Sequence, residues 1–382
     1  MFFLISLIFT IVVMLAREKS EFRLHPLFLF GLIVFSIGGI ISSFRSKMPM
    51  ESLIAVAKYL YLMGVWFWLG TVILQNEKHV YTAIFLWSIS AAFTSAGAIA
   101  QLVWGDIIPG VSPAAGRMTG LTEHVNDLGG VNCVVLMPAL ALASHDAIGR
   151  LRKYCLYVIT FLITAGLILS VSVSGLIAAI ISFIIFGVMS RTKIKNIAMF
   201  VIIIFACLMI VSFSLKHGGI SVLDRLTDVA EQKLYYETSA SRMEVYRLAW
   251  ESISRNPLIG VGMGPYAGIT ETGDSVHNVI LLNWYESGVL GLIGILLVLL
   301  LLVSIGVYQI RTSKSENERL LSVSLFASFV AFLVIGMAQP IYFKRFGWIS
   351  SSLIMALYVS RRKPIITDSM HIISARNNSI SS

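Results

Sequence analysis

The sequence predicts an all-α protein that crosses a membrane through about 11 helices, within a range of about 10 to 12. Of its 382 residues, 57% are hydrophobic and 13% are charged. A soluble domain would carry about 25% charged residues. The apolar residues also gather in runs that are long enough to cross the hydrocarbon core of a bilayer. Together these features indicate a polytopic membrane protein.

The first apolar run has no basic residue before it and no cleavage site of small residues. We therefore interpret it as a first membrane span and not as a removed signal peptide. The predicted spans are 1–16, 27–43, 53–74, 81–103, 128–144, 154–170, 174–190, 197–213, 289–310, 320–339 and 346–360.

Basic residues predict how these spans are oriented. One set of connections holds several clusters, such as Arg150, Arg152 and Lys153, whereas the short connections on the other side hold few basic residues. Because basic loops are retained in the cytoplasm, the first set and the C-terminus are predicted to be cytoplasmic. The chain then divides into N-terminal helices (1–213) with an external loop around 104–127, a long external loop (214–277), C-terminal helices (278–363) and a polar cytoplasmic tail (364–382).

Residues 239–291 form the longest polar-rich interval of the chain, and any chemistry is expected there. Ser241 and Glu244 have the spacing of a capping box, in which two side chains bond the first free backbone amides of a helix. This pattern predicts a helix near 241–255 that starts close to Arg242. Its apolar side would suit a membrane surface and consists of Met243, Tyr246, Trp250 and Ile253.

Pro257 ends this predicted helix, because the residue before a proline avoids helical geometry. The glycine-rich stretch 260–264 then predicts a turn that passes close to another part of the chain. A second start signal at residues 274–275 places His277 and Asn278 in the first turn of the next helix.

Several features follow one another along this interval: Arg242, Trp250, Pro257-x2-Gly260-x-Gly262-x-Gly264, His277-Asn278 and Glu286-x-Gly288-x2-Gly291. This pattern resembles the domain shared by bacterial O-antigen ligases and related polysaccharide polymerases. The resemblance implies a metal-independent, inverting glycosyltransferase of the bacterial inner membrane. It would move a glycan from a polyprenyl (undecaprenyl) diphosphate donor to an acceptor in the periplasm, so that the long external loop is periplasmic. The acceptor stays open between a lipid A core, a growing glycan and a protein hydroxyl.

Such a transfer needs cations for the leaving diphosphate, and arginine grips phosphate oxygens in a bidentate way. Arg242 is the main candidate, because a helix N-terminus also favours an anion; the alternative is a solvated or headgroup-bound arginine. Arg247 is a further candidate, although Glu244 and Glu251 are spaced to hold it in an ordinary ion pair on the helix surface.

A second external cluster contains Arg117, Gly120 and Asn126, which resemble the family's Arg-x2-Gly followed by an Asn at the entry to a helix. The resemblance implies that Arg117 is a second diphosphate ligand and that Asn126 supports it. The alternative is a loop cation that caps a helix end. The resemblance departs at Ser172–Gly175, where relatives often carry an arginine. Either Lys216 or Arg225 replaces that arginine, or the alignment of this corner is wrong.

His277 is the candidate general base, since a neutral imidazole can accept the proton of the acceptor hydroxyl. Asn278 and Glu286 are candidate supporting residues. Glu286 lies nine residues after His277, which in a continuous helix means about 13 Å along the axis and the opposite face. It therefore cannot orient His277 unless the helix breaks, and a polar group near the membrane edge is its expected partner.

Other classes of function are less well supported. There is no Asp-x-Asp pair and no Cys/His cluster with zinc spacing, so neither a metal nor another cofactor is expected. Nucleic acid is not an expected partner, because the basic residues are topology signals between apolar runs. Expected partners are the donor, the acceptor, membrane lipid and, as an option, other polysaccharide-assembly proteins. A lipid-linked oligosaccharide flippase or other transporter, and a structural assembly subunit, remain the alternatives.

Overall fold

The computed structural model describes residues 24–105, 116–145, 148–190, 239–264, 275–340 and 344–362. Helices and no strand are found in these ranges, so the all-α prediction is confirmed. The helices are α1 (Pro26–Ser43), α2 (Pro49–Ile73, with a π-helical turn at Tyr61–Val65), α3 (Glu77–Trp104), α4 (Val125–Ser144), α5 (Arg150–Leu169), α6 (Val173–Ser190), α7 (Ser239–Arg255), α8 (Val279–Thr312), α9 (Glu316–Gly336) and α10 (Arg345–Arg362).

Eight of the described helices, all except α7 and α10, are long and apolar enough to cross a membrane. The predicted spans 1–16 and 197–213 lie outside the described residues, and the predicted total of about 11 spans is therefore not confirmed. α10 forms where the last span was expected, but it carries Arg345, Arg361 and Arg362 at its two ends.

The helix α4 is the central helix of the described bundle, and 89% of its apolar 18-residue stretch is buried. It packs against α3, α5, α6 and α9. Pro138 interrupts its hydrogen bonding, because proline has no N–H to give to the carbonyl of Val134 one turn earlier. The hydroxyl of Ser328 on α9 donates to that carbonyl instead. A side chain from a neighbour thus satisfies the backbone of a helix that has no water around it.

A seam of glycines joins α1 to α8. A Cβ added at Gly38 would lie 2.4 Å from the backbone nitrogen of Gly291, and one at Gly294 would lie 2.3 Å from that of Phe35. Small residues allow this close backbone approach between membrane helices, where van der Waals packing replaces the hydrophobic effect as the main attraction. The seam fixes the N-terminal half of α8 against α1.

Contacts between helix termini divide the bundle into two ends. One end of the bundle, which we call the His277 end, contains the first residues of α4, α6, α8 and α10 and the last residues of α5 and α9. At the opposite end, Arg361 pairs with Glu77 at the start of α3, and Arg319 at the start of α9 donates to the carbonyl of Met189 near the end of α6. The candidate site residues within the described ranges lie at or near the His277 end.

Candidate functional site

α7 starts earlier than predicted. The chain is already helical at Ser239, so the prediction that Ser241 caps a helix beginning near Arg242 is wrong. The carboxylate of Glu244 binds the guanidinium of Arg247 one turn later, an i,i+3 pairing that the helix itself supplies. Arg242 consequently lies inside the first described turn of the helix, where it is partly buried.

The buried face of α7 differs from the predicted apolar face. Its buried side chains are Val245, Ala249 and Ile253, whereas Trp250 is 55% exposed. The exposed Trp250 packs edge-on against Trp284 of α8, with 5.8 Å between the ring centroids. The smaller apolar residues therefore face the bundle, and the larger ones lie along its surface.

Tyr246 connects α7 to the segment that carries His277. Its hydroxyl donates a hydrogen bond of 3.0 Å to the backbone carbonyl of His277. Burial raises the pKa of Tyr246, and the positive charge of Arg242 partly opposes this rise. Arg242, one turn before Tyr246, is thus close enough to act electrostatically on the group that holds His277. Tyr246 thus links the helix that carries Arg242 to the segment that carries His277.

His277 precedes α8 instead of lying in its first turn. The side chain of Asn278 accepts hydrogen bonds of 3.0 Å from the backbone amides of Ile280 and Leu281, and Asn278 is therefore the N-cap. The predicted start at residues 274–275 is wrong because Asn278 satisfies the first amides itself. This cap fixes the backbone directly after His277.

Glu286 lies in a tight crossing between α8 and the glycine-rich stretch 260–264. The backbone amides of Val261 and Gly262 donate to the carbonyls of Tyr285 and Glu286, both at 3.0 Å. The Glu286 carboxylate is 4% exposed and accepts a hydrogen bond of 3.4 Å from the amide of Gly264.

The break in α8 lies after Glu286. Gly288 has a φ of 66°, and it is the non-helical position inside the helix. The chain is therefore helical without a break from residue 279 to Glu286. With a continuous helix between them, Glu286 is not expected to orient His277. The close loop passage that the glycines predicted is found here.

Arg117 and Asn126 are brought together at the His277 end. The guanidinium of Arg117 donates through Nε to the carbonyl of Ser170, at 3.1 Å, and through Nη2 to Oδ1 of Asn126, at 2.9 Å. Ser170 is the C-cap of α5, and Arg117 is only 3% exposed. Within the described contacts, Arg117 thus caps a helix end, which is the alternative raised for it from the sequence.

Two charged residues of this cluster were not singled out from the sequence. The ammonium of Lys344 lies 2.8 Å from the carboxylate of Asp127, the neighbour of Asn126. Gln339 donates to the hydroxyl of Ser174 at the start of α6, also at 2.8 Å. Neither Lys344 nor Asp127 stands out in the sequence, because only the fold brings them together.

The segment between α9 and α10 connects the two parts of the candidate site. Met337, at the end of α9, accepts a weak hydrogen bond from Asn278 at 3.7 Å. Gln339 and Lys344, in the same connection, contact α6 and α4. Described residues of this connection thus contact α8, α6 and α4, and we call these contacts the polar network of the His277 end.

Arg247 stands apart from this network. It is 56% exposed and forms ion pairs with Glu244 and Glu251 on the surface of α7. The hydrogen bond from Arg247 lowers the pKa of Glu244. Arg247 thus forms the ordinary surface ion pairs that were the alternative to diphosphate binding. Lys216 and Arg225 lie outside the described residues.

Comparison with known proteins gives a match to a family model and similarities to solved structures. A chain from a structure described as "Structural coordination of polymerization and crosslinking by a peptidoglycan synthase complex" is 13% identical, with a TM-score of 0.45, over 88% of this chain and 98% of that one. No curated protein matches. Residues 158–296 match the family model described as O-antigen ligase, a range that contains Arg242, Arg247, His277, Asn278 and Glu286. Over residues 158–296, this chain is therefore similar to the O-antigen ligase family.

Proposed function

We propose that the protein is a glycosyltransferase that moves a glycan from a polyprenyl diphosphate to an acceptor hydroxyl on the periplasmic side of the inner membrane. The observation that carries the proposal is the hydrogen bond from Tyr246 to the backbone of His277, with Arg242 one turn away on the same helix. It supports a base and a cation that share one region at the end of a membrane bundle. The match to the O-antigen ligase family supports this type of reaction.

In this proposal, His277 accepts the proton of the acceptor hydroxyl as its oxygen attacks the anomeric carbon. The bond from that carbon to the diphosphate breaks on the opposite side, so the configuration inverts. Negative charge develops on the departing diphosphate, and Arg242 stabilises it without the need for a metal. No reorganisation of solvent is required if the guanidinium is already held in place.

The remaining residues act as supports. Asn278 caps α8 and fixes the backbone beside His277, while Glu286 holds the glycine-rich loop against α8. Arg117 and Asn126 organise the neighbouring loop against the end of α5, and the donor diphosphate would lie beside them. Arg247 is the weakest of the proposed donor ligands, since two carboxylates already bind it.

The test is a transfer assay with purified protein, a polyprenyl-diphosphate glycan and a candidate acceptor. His277→Ala is expected to lower the rate by about 100-fold or more, which is the contribution of a general base. The matched control is His79→Ala, an exposed histidine at the opposite end of the bundle. Normal accumulation of His277→Ala together with wild-type transfer would exclude His277 as the base.

A second pair of variants tests the cation. Arg242→Ala is expected to slow transfer strongly and Arg242→Lys to restore part of the rate, because a lysine keeps the charge but not the bidentate geometry. Arg255→Ala is the matched control, since Arg255 is exposed at the end of the same helix. Equal rates for the Arg242 and Arg255 variants would contradict the proposed role. The anomeric configuration of the product, measured by NMR, tests inversion.

A further inference from the structure

The two cations of the second cluster are held in different ways. Arg117 is 3% exposed, and its guanidinium is bonded to the end of α5 and to Asn126. The side chain of Lys344 is 31% exposed, and its ammonium rests against one carboxylate oxygen of Asp127. Lysine carries its charge on a flexible four-carbon stem, so a lysine can change partners where a buried, capped arginine cannot.

We propose that Lys344 is a ligand of the donor diphosphate and that Asp127 is the positioning residue that holds its ammonium in place before the donor binds. This inference rests on the proposed function and adds a binding residue to it. When the donor arrives, the ammonium exchanges one oxygen of the Asp127 carboxylate for an oxygen of the phosphate. Both partners are oxyanions, so the same ammonium can bind either of them.

The surroundings favour an anion at this position. Arg117 and Lys344 bring two positive charges to the cluster, and Asp127 brings one negative charge. α4 begins two residues before Asp127, and α6 begins at Val173 beside the Gln339–Ser174 hydrogen bond. Helix N-termini carry partial positive charge, so both helices add to the attraction of a phosphate.

The α9–α10 connection ties this position to the candidate base. Lys344 and Met337 belong to the same short connection, and Met337 contacts the cap residue Asn278 directly after His277. A diphosphate bound to Lys344 would therefore lie at the same end of the bundle as His277.

The experiment measures donor KM, kcat and inhibition by inorganic pyrophosphate in the full-length protein. Lys344→Met is expected to raise the donor KM and the pyrophosphate inhibition constant by about tenfold, while kcat at saturating donor changes by less than about threefold. Lys344→Arg is expected to keep most of the donor affinity. Lys47→Met is the matched control, because Lys47 is an exposed lysine near the same end of the bundle.

Variants of Asp127 separate a ligand from a structural ion pair. Asp127→Asn keeps the lysine charge but removes the carboxylate that holds the ammonium in place, and it is expected to raise the donor KM by less than Lys344→Met does. The double variant Asp127→Asn/Lys344→Met contains no unpaired charge and is expected to fold, yet to keep the raised donor KM. A purely structural pair would lower the melting temperature equally in both single variants and leave the donor KM of both unchanged.

The outcomes distinguish the two levels of the proposal. A wild-type protein that transfers no glycan from the polyprenyl diphosphate overturns the proposed function, and the role of Lys344 with it. A wild-type protein that transfers glycan, with Lys344→Met kinetics like those of Lys47→Met, overturns the role of Lys344 alone.

Discussion

The hydroxyl of Tyr246 donates to the backbone carbonyl of His277 across 3.0 Å, and thereby joins the surface helix α7 to the segment that opens α8. The bond is made to the main chain, so it constrains where the residue sits without occupying the imidazole. A base that must accept a proton benefits from such a fixed backbone, because the backbone helps to set the position of the ring relative to the substrate.

Replacement of Tyr246 by Phe is therefore expected to slow transfer while the protein accumulates normally. Loss of one hydrogen bond costs about 0.5–1.5 kcal/mol, which corresponds to about a two- to tenfold lower kcat if His277 is mispositioned in proportion. Tyr154→Phe, an exposed tyrosine at the opposite end, is the control. Unchanged kcat in Tyr246→Phe would show that this bond has no part in the rate.

The crossing between the glycine-rich loop and α8 predicts a strong effect of added methyl groups. A Cβ at Gly260 would lie 2.1 Å from the carbonyl oxygen of Glu286. A Cβ at Gly288 would lie 2.3 Å from the carbonyl oxygen of Leu258, and Gly288 also has a φ of 66°. Gly260→Ala and Gly288→Ala are each expected to destabilise the protein by at least about 1–3 kcal/mol. Gly187→Ala, with open space around it, should not lower the melting temperature in detergent.

Asn278→Ala is expected to cost about 1 kcal/mol, because the amides of Ile280 and Leu281 lose their cap. It should also slow transfer, since the cap fixes the residue beside His277. Ser315 caps α9 at the opposite end of the bundle, and Ser315→Ala therefore removes a comparable cap far from the site. The expected result is a similar loss of stability in both variants and slower transfer only in Asn278→Ala. Equal transfer in both would contradict the positioning role.

Gln101 is expected to be essential for the loop that carries Arg117. Its buried amide group accepts from the backbone amides of Thr119 and Gly120, at 3.1 and 2.8 Å, and donates to the Thr119 hydroxyl at 3.0 Å. Gln101→Leu leaves these buried groups without their partner, at a cost of about 1–3 kcal/mol. Gln75→Leu is the control, because Gln75 lies just after α2 and, among the described contacts, donates only to carbonyls at the end of that helix. A melting temperature of Gln101→Leu equal to that of the control would refute the assignment.

The membrane helices could be predicted because their signal is local. Apolar runs at 27–43, 128–144 and 174–190 correspond to helices that begin within three residues of the predicted start and finish at the predicted end. A run of apolar side chains must satisfy its own backbone in a bilayer, and a helix does so wherever the run lies in the fold. The starts of α7 and α8 were predicted less well, since several Ser, Asp and Asn residues competed for the caps.

The candidate site could be predicted only in part, for a related reason. His277, Asn278 and Arg242 lie in a polar interval that stands out in an apolar chain, and the motif resemblance pointed to them. Lys344 and Asp127 are 217 positions apart in sequence, and nothing local to either residue indicates the other. Their pairing depends on the packing of α10 against α4, which no periodicity in the sequence encodes.

The glycine seam between α1 and α8 also bears on how a lipid-bound substrate gets in. The backbones of the two helices touch directly at the seam, so no long side chains lie between them that could change rotamer. We therefore expect α1 and α8 to move together as one rigid unit. Entry of a lipid between α1 and α8 would require one of these helices to separate from the other along its length. The route for a bulky lipid is therefore expected on another flank of the bundle, where larger side chains can change rotamer and make room.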